Sequence, residues 1–124
     1  MAHLANQRQM TFQGVNLEQL LDFIDERFGD KGCLLLEYKK FGIWNYEKAS
    51  VKAGPYVSCT IVFYESDKET CDVYLWGTGG GFDLVRDFQR DLRDEVAEEI
   101  SSYATSELGL KKTFDAAEDE DLNP

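Results

Sequence analysis

The residues able to do acid–base or nucleophilic chemistry are few and poorly placed for it. The single histidine, His3, stands at the start of the chain, so Ser-His, Cys-His and histidine–metal arrangements have no general base to use. Cys33, Cys59 and Cys71 show no CxxC spacing, and with one remote histidine they do not compose a zinc site. Carboxylates remain. Glu37, Glu47, Glu65 and Asp72 fall on or beside predicted strands, yet none shares a spacing that fixes a glycosidase-like or metal-binding pair. Glu37 and Glu47 flank one predicted hairpin and come nearest to such a pair. Solvated strand carboxylates opposite Lys39 and Lys48 are the ordinary reading.

The run Gly77-Thr78-Gly79-Gly80-Gly81 leads into a helix, a setting in which backbone N–H groups can face an anion. It carries neither the Gly-Lys-Ser/Thr of a nucleotide loop nor a GxGxxG. Asp83 and Asp87 open the helix and already satisfy the positive end of its dipole. The glycines are read instead as the sharp exit from a strand back onto its sheet. No catalytic residue, cofactor or metal ligand is assigned.

A second pattern is more informative. From Tyr56 to Glu65, Val57, Cys59, Ile61 and Phe63 alternate with Tyr56, Ser58, Thr60, Val62 and Tyr64; from Thr70 to Gly77, Cys71, Val73 and Leu75 alternate with Asp72, Tyr74 and Trp76. Period two is that of a strand with two unlike faces. One face is aliphatic. The other carries Tyr56, Tyr64, Tyr74 and Trp76, which Trp44 and Tyr46 are expected to join. Tyr and Trp combine a large apolar body with a polar tip and suit partly wet contacts. Bringing the aliphatic faces together requires odd positions to pair with odd ones, so the turn at Ser66–Glu69 must hold a three-residue loop or a bulge. In either register Cys59 and Cys71 lie several residues apart along the strands, too far for a disulfide, and read as small core residues.

The elements that hold these faces follow in order. Residues 1–9 are expected to fray, with a weak edge strand over Met10–Val15. Asn16, with Gln19 three positions on, predicts a capped helix start. Leu17, Leu20, Leu21, Ile24 and Phe28 form its stripe, Phe23 lies beside it, and Gly29 is the stop. Cys33-Leu34-Leu35-Leu36 is apolar at both parities, which predicts a strand covered on both sides. Lys39-Lys40-Phe41-Gly42 is a turn with Gly42 at positive φ, and Ile43–Val51 returns, broken by Ala53-Gly54-Pro55. After the glycines, Val85, Phe88, Leu92, Val96, Ile100 and Tyr103 recur at helical spacing. Asp83, Arg86, Asp87, Arg90, Asp91, Arg93, Asp94, Glu98 and Glu99 are assigned to the solvated side. Residues 110–124 are read as an acidic, disordered tail.

The predicted fold is α+β: a two-layer sandwich of a four-stranded antiparallel meander, with a fifth short N-terminal strand as an option, and both helices on one face. A single domain spans 10–109. In element order it resembles helix-on-curved-sheet folds such as the TATA-binding-protein-like and helix-grip classes. The stretch Val73-Tyr74-Leu75-Trp76-Gly77-Thr78-Gly79-Gly80-Gly81-Phe82 resembles small bacterial families known only as domains of unknown function. That resemblance implies no catalytic or binding residue.

The totals bound the partners. A net charge of -11 and a pI near 4.4 oppose nucleic-acid binding and docking on anionic membranes. They suit solubility or a basic protein partner. Cysteine usage, with no signal-peptide pattern or long apolar run, predicts a reduced, cytoplasmic protein. The expected function is non-enzymatic: an interaction module, homodimeric through its aromatic sheet face. The alternatives are a small apolar ligand held between sheet and C-terminal helix, or an acidic, chaperone-like partner of a basic protein.

Overall fold

The structure is a computed structural model that describes residues 7–48, 57–78 and 86–118. Its elements are β1 (Gln7–Gln13), α1 (Leu17–Phe28), β2 (Gly32–Tyr38), β3 (Phe41–Lys48), β4 (Val57–Asp67), β5 (Thr70–Thr78), α2 (Arg86–Ser106) and β6 (Lys111–Glu118). The strands form one antiparallel sheet in the order β2-β3-β4-β5-β1-β6. The meander from β2 to β5 is therefore present, but the sheet has six strands rather than four or five.

Register settles the faces. Ile61 sits opposite Leu75 and Phe63 opposite Val73, Trp44 opposite Ile61, and Met10 opposite Val73. All of these side chains are buried, and α1 and α2 cover them. Odd positions pair with odd ones across β4 and β5, and the required irregularity is a bulge between Glu65 and Asp67. Glu69 takes φ 64 in the turn that follows.

Helix α1 begins as its sequence dictates. The Gln19 amide donates to Asn16 Oδ1 at 2.8 Å, and the Asn16 amide donates to Gln19 Oε1 at 3.3 Å. Beside them the Leu17 amide donates to Glu65 Oε2 at 3.1 Å, so a strand carboxylate caps the same helix end. Phe23 widens the stripe as expected: it is buried and stacks on Tyr103 with ring centroids 4.0 Å apart. Asn16→Ala should lower the unfolding free energy by about 1 kcal/mol, read as a shift in urea midpoint at unchanged m-value.

Several expectations need correction. The weak N-terminal edge strand is interior, lying between β5 and β6, and it starts at Gln7, inside the stretch assigned to fraying. The tail assigned to disorder forms β6 over Lys111–Glu118 and pairs with β1. Gly109, at φ 67, turns the chain out of α2 into that strand. In the tight turn the left-handed residue is Lys39, at φ 48; Gly42 lies in β3, where a Cβ would come within 2.9 Å of Leu21 on α1. Arg93, assigned to the solvated side of α2, is 1% exposed, and its Nε donates to Asp94 Oδ1 at 3.0 Å. Strand β2 is not covered on both sides. It is an edge, with Leu35 60% exposed.

Candidate functional site

One face of the sheet is turned away from both helices. Strand alternation and register arrange it in rows running across the strands. One row reads Tyr38 (β2), Phe41 (β3), Tyr64 (β4), Asp72 (β5), Thr11 (β1) and Phe114 (β6). The next reads Leu36, Ile43, Val62, Tyr74, Gln9 and Ala116, and a third includes Asn45, Thr60, Trp76 and Gln7. The face is thus divided: the first two rows are aromatic and aliphatic from β2 to β4, the third mixes Asn45 and Thr60 with Trp76, and β1 is polar. Tyr38 and Tyr64 are 53% and 42% exposed, while Phe41, Ile43, Val62, Tyr74 and Trp76 are half-buried. Part of that shielding is mutual. The Tyr38 and Phe41 rings meet edge to face at 6.0 Å, and Lys39 Nζ lies 5.1 Å over the Tyr38 ring.

Asp72 marks the boundary between the halves and accepts from Thr11 Oγ1 at 2.7 Å. Further along the same face Ser58 and Thr78 share a hydrogen bond of 2.7 Å between their hydroxyls. Burial pushes the Tyr74 phenol above its ordinary range, with Asp72 and Tyr64 adding to the shift. It stays neutral at physiological pH and can act only as a hydrogen-bonding group there.

Of the side chains singled out from the sequence, this face gathers Tyr64, Tyr74 and Trp76. Trp44 and Tyr46 do not join them. Both point towards the helices, at 0% and 2% exposure, because Trp44 pairs with Ile61 and Tyr46 with Cys59. Burial, then Glu99, Glu95 and Asp30, push the Tyr46 phenol up to about 12. Tyr56 lies outside the described residues, as do His3, Gly79–Gly81 and Asp83. Sequence reasoning missed Leu36, Tyr38, Phe41, Ile43 and Phe114 on the outer face. For β3 only its register with β4 could reveal them, since Phe41, Ile43, Trp44 and Tyr46 are apolar at both parities.

Two of the candidate carboxylates make structural contacts. Glu65 caps α1 and Asp72 holds Thr11. Glu37 pairs with Gly42 at one end of the β2–β3 hairpin, whereas Glu47 stands opposite Ser58 near the other end of β3; the two do not flank a common site. Gly77 supports the packing reading of the glycine run, since a Cβ there would run into the Gln89 carbonyl on α2. Cys59 and Cys71 are buried free thiols, each pushed up to about 12 chiefly by burial. They remain protonated and unreactive near neutral pH. Among the described residues no group of His, Cys, Asp and Glu is arranged to hold a metal ion.

The seam between the sheet and α2 is filled by Ile61, Leu75, Val96 and Ile100, none more than 1% exposed. An open cleft of about 640 Å³ lies instead between the end of α1 and α2, lined by Arg27, Asp30, Lys31, Glu98, Glu99, Tyr103 and Glu107 among others. Its Arg27 guanidinium sits 5.1 Å over the Tyr103 ring. Among the described residues no helix is long and apolar enough to cross a membrane. No family model, no curated protein and no solved structure matches this chain.

Proposed function

We propose that the chain is a non-enzymatic interaction module that forms a homodimer through the β2–β5 half of its outer sheet face. The observation that carries this reading is the uncovered patch itself. Tyr64, Tyr74 and Trp76, with Ile43 and Val62 between them, project from a sheet whose two helices both lie on the other side. Contiguous apolar side chains on an uncovered face mark contact sites, and Tyr and Trp are the side chains that dominate contact energetics.

Charge favours a second copy as the occupant. Two chains of net charge -11 repel wherever their acidic surfaces meet. The three rows carry no charged residue from β2 to β4; Lys39, over the Tyr38 ring, Glu47, opposite Ser58, and Asp72, engaged by Thr11, stand at their borders. A two-fold contact there buries apolar area while keeping the acidic surfaces of α2 apart.

Sedimentation equilibrium tests the reading. The unmodified chain should associate through this face at micromolar concentration, sedimenting as a dimer or larger. The double variant Tyr64→Glu, Trp76→Glu should remain folded by far-UV circular dichroism yet lose the association made through this face. Each lost anchor is expected to weaken association roughly 30-fold, at about 2 kcal/mol apiece. A chain that is already monomeric at high concentration removes the proposal.

A further inference from the structure

The two edges of the sheet are built differently. β6 distributes Lys111, Lys112, Asp115 and Glu118 along its length, the device by which an edge strand avoids pairing with another chain. β2 instead runs Cys33, Leu34, Leu35 and Leu36 in succession, and the three leucines are exposed at 37%, 60% and 47%. A bulge between Leu34 and Leu36 sets Leu34 opposite Trp44 on the helix side and Leu36 opposite Ile43 on the outer side. Apolar side chains therefore stand on both sides of a strand whose backbone, among the described residues, has a partner strand on one flank only.

We propose that β2 is a docking edge for a second copy of this chain, the two β2 strands pairing antiparallel about a two-fold axis so that the sheet runs on from one copy into the next. Charge selects both the occupant and the direction. Asp30 and Lys31 precede the strand, while Glu37, Lys39 and Lys40 close it. Antiparallel pairing sets the first end of each copy against the second end of the other, so Asp30 approaches lysine and Lys31 approaches Glu37. Parallel pairing would bring Lys39 and Lys40 onto their own copies. Residues 31–40 hold three lysines and one glutamate in a chain of net charge -11, so two copies approach here with less repulsion than over their acidic helices. The inference stands independently of the face contact. Edge pairing leaves the outer face of each copy open and lays the two Leu36–Ile43–Val62 rows in one continuous sheet.

Cys33 supplies the probe. It is exposed in β2, whereas Cys59 and Cys71 are buried. With the full chain, a short bis-maleimide should link Cys33 of one copy to Cys33 of the other: where Lys31 faces Glu37, Cys33 faces Leu35 of the other copy, which leaves the two cysteines about 8 Å apart. Leu35→Lys places on this edge the charge that β6 already carries, and Leu35→Ile is the conservative control. The lysine variant should keep its circular dichroism spectrum and urea midpoint but weaken edge association by roughly tenfold or more, the equivalent of about 1.4 kcal/mol. The isoleucine variant should crosslink as the unmodified chain does. If Cys33 crosslinking is lost only in Leu35→Lys and survives in Tyr64→Glu, Trp76→Glu, the edge contact holds whatever becomes of the face contact. Crosslinking indifferent to Leu35→Lys overturns the inference. So does a monomeric chain whose Cys33 is never linked, even one that captures an extended peptide of another protein on β2.

Discussion

Truncating Trp44 to alanine should lower the unfolding free energy by about 3–5 kcal/mol, a large part of the roughly 5–15 kcal/mol that holds a domain of this kind together. Trp44 heads the fully buried side chains. It packs under the sheet with Tyr46 at 6.5 Å between ring centroids and so close to Gly32 that a Cβ there would come within 2.6 Å of the indole. Alanine would leave a cavity that this sheet cannot close by collapse, because β3 is fixed by β2 on one side and β4 on the other. Phenylalanine should behave differently. The Trp44 Nε1–H is buried and has no acceptor among the described residues, and such an unsatisfied donor costs about 1–3 kcal/mol. Trp44→Phe loses ring volume but relieves that penalty, so its net cost should stay near 1 kcal/mol. Urea titrations of both variants at one protein concentration measure the difference. Association should be unaltered in Trp44→Phe, since the residue is absent from the outer face.

That pair of outcomes also explains what a single strand can and cannot reveal. β4 and β5 alternate cleanly, so their aliphatic sides, the odd-with-odd register and the need for a bulge near Ser66 are all legible in the residues themselves. The α1 start is equally local: Asn16 and Gln19 form their two hydrogen bonds within one turn. β3 has apolar residues at both parities, and periodicity has nothing to say about which side Trp44 takes. Only the long-range pairing with Ile61 decides it. In β2 the same double-sided pattern arises from a bulge at an exposed edge rather than from cover on both sides.

The missed strand β6 fails for another reason. Its residues Lys111 to Glu118 offer little apolar burial, and every one of them is exposed. What places it is backbone pairing with β1 and an ionic contact spanning 107 residues, Arg8 to Asp115. No window of sequence contains both ends of that contact. Arg93 was misplaced for a similar reason, since a charged residue in a helix reads as solvated unless its tertiary surroundings are known.

Arg8→Met should expose how much of β6 depends on that contact. Arg8 is 12% exposed in its side chain and joins three elements. Its Nε and one terminal nitrogen grip the Asp115 carboxylate of β6 at 2.9 and 2.8 Å, while Glu98 and Asp94 of α2 accept at 2.8 and 3.2 Å. The hydrogen bonds that Arg8 donates to Asp115 raise the guanidinium's affinity for its proton against the opposing effect of burial. In return, the Arg8 hydrogen bond leads in holding the Asp115 carboxyl below its ordinary 3.8. Methionine keeps the stem and removes the cation that three carboxylates share, leaving Asp94 with Arg93 and Asp115 with Lys112. The partners are partly solvated, at 22% to 67% exposure, so the cost at neutral pH should lie between surface and buried ion pairs, about 2 kcal/mol. Amide exchange should accelerate first over residues 111–118.

The pH dependence carries the sign. In the unmodified chain the depressed Asp115 contributes stability above its unfolded value of 3.8, and that contribution is lost as pH falls through the lower folded value. In Arg8→Met the crowded carboxylates repel one another, and protonation relieves them. The stability gap between the two proteins should therefore be widest near about pH 7 and close progressively below about pH 4, with added salt narrowing it at neutral pH. A gap that stays constant across that acid range would mean that Arg8 holds β6 through the packing of its stem. The charge it brings to Asp94, Glu98 and Asp115 would then count for little.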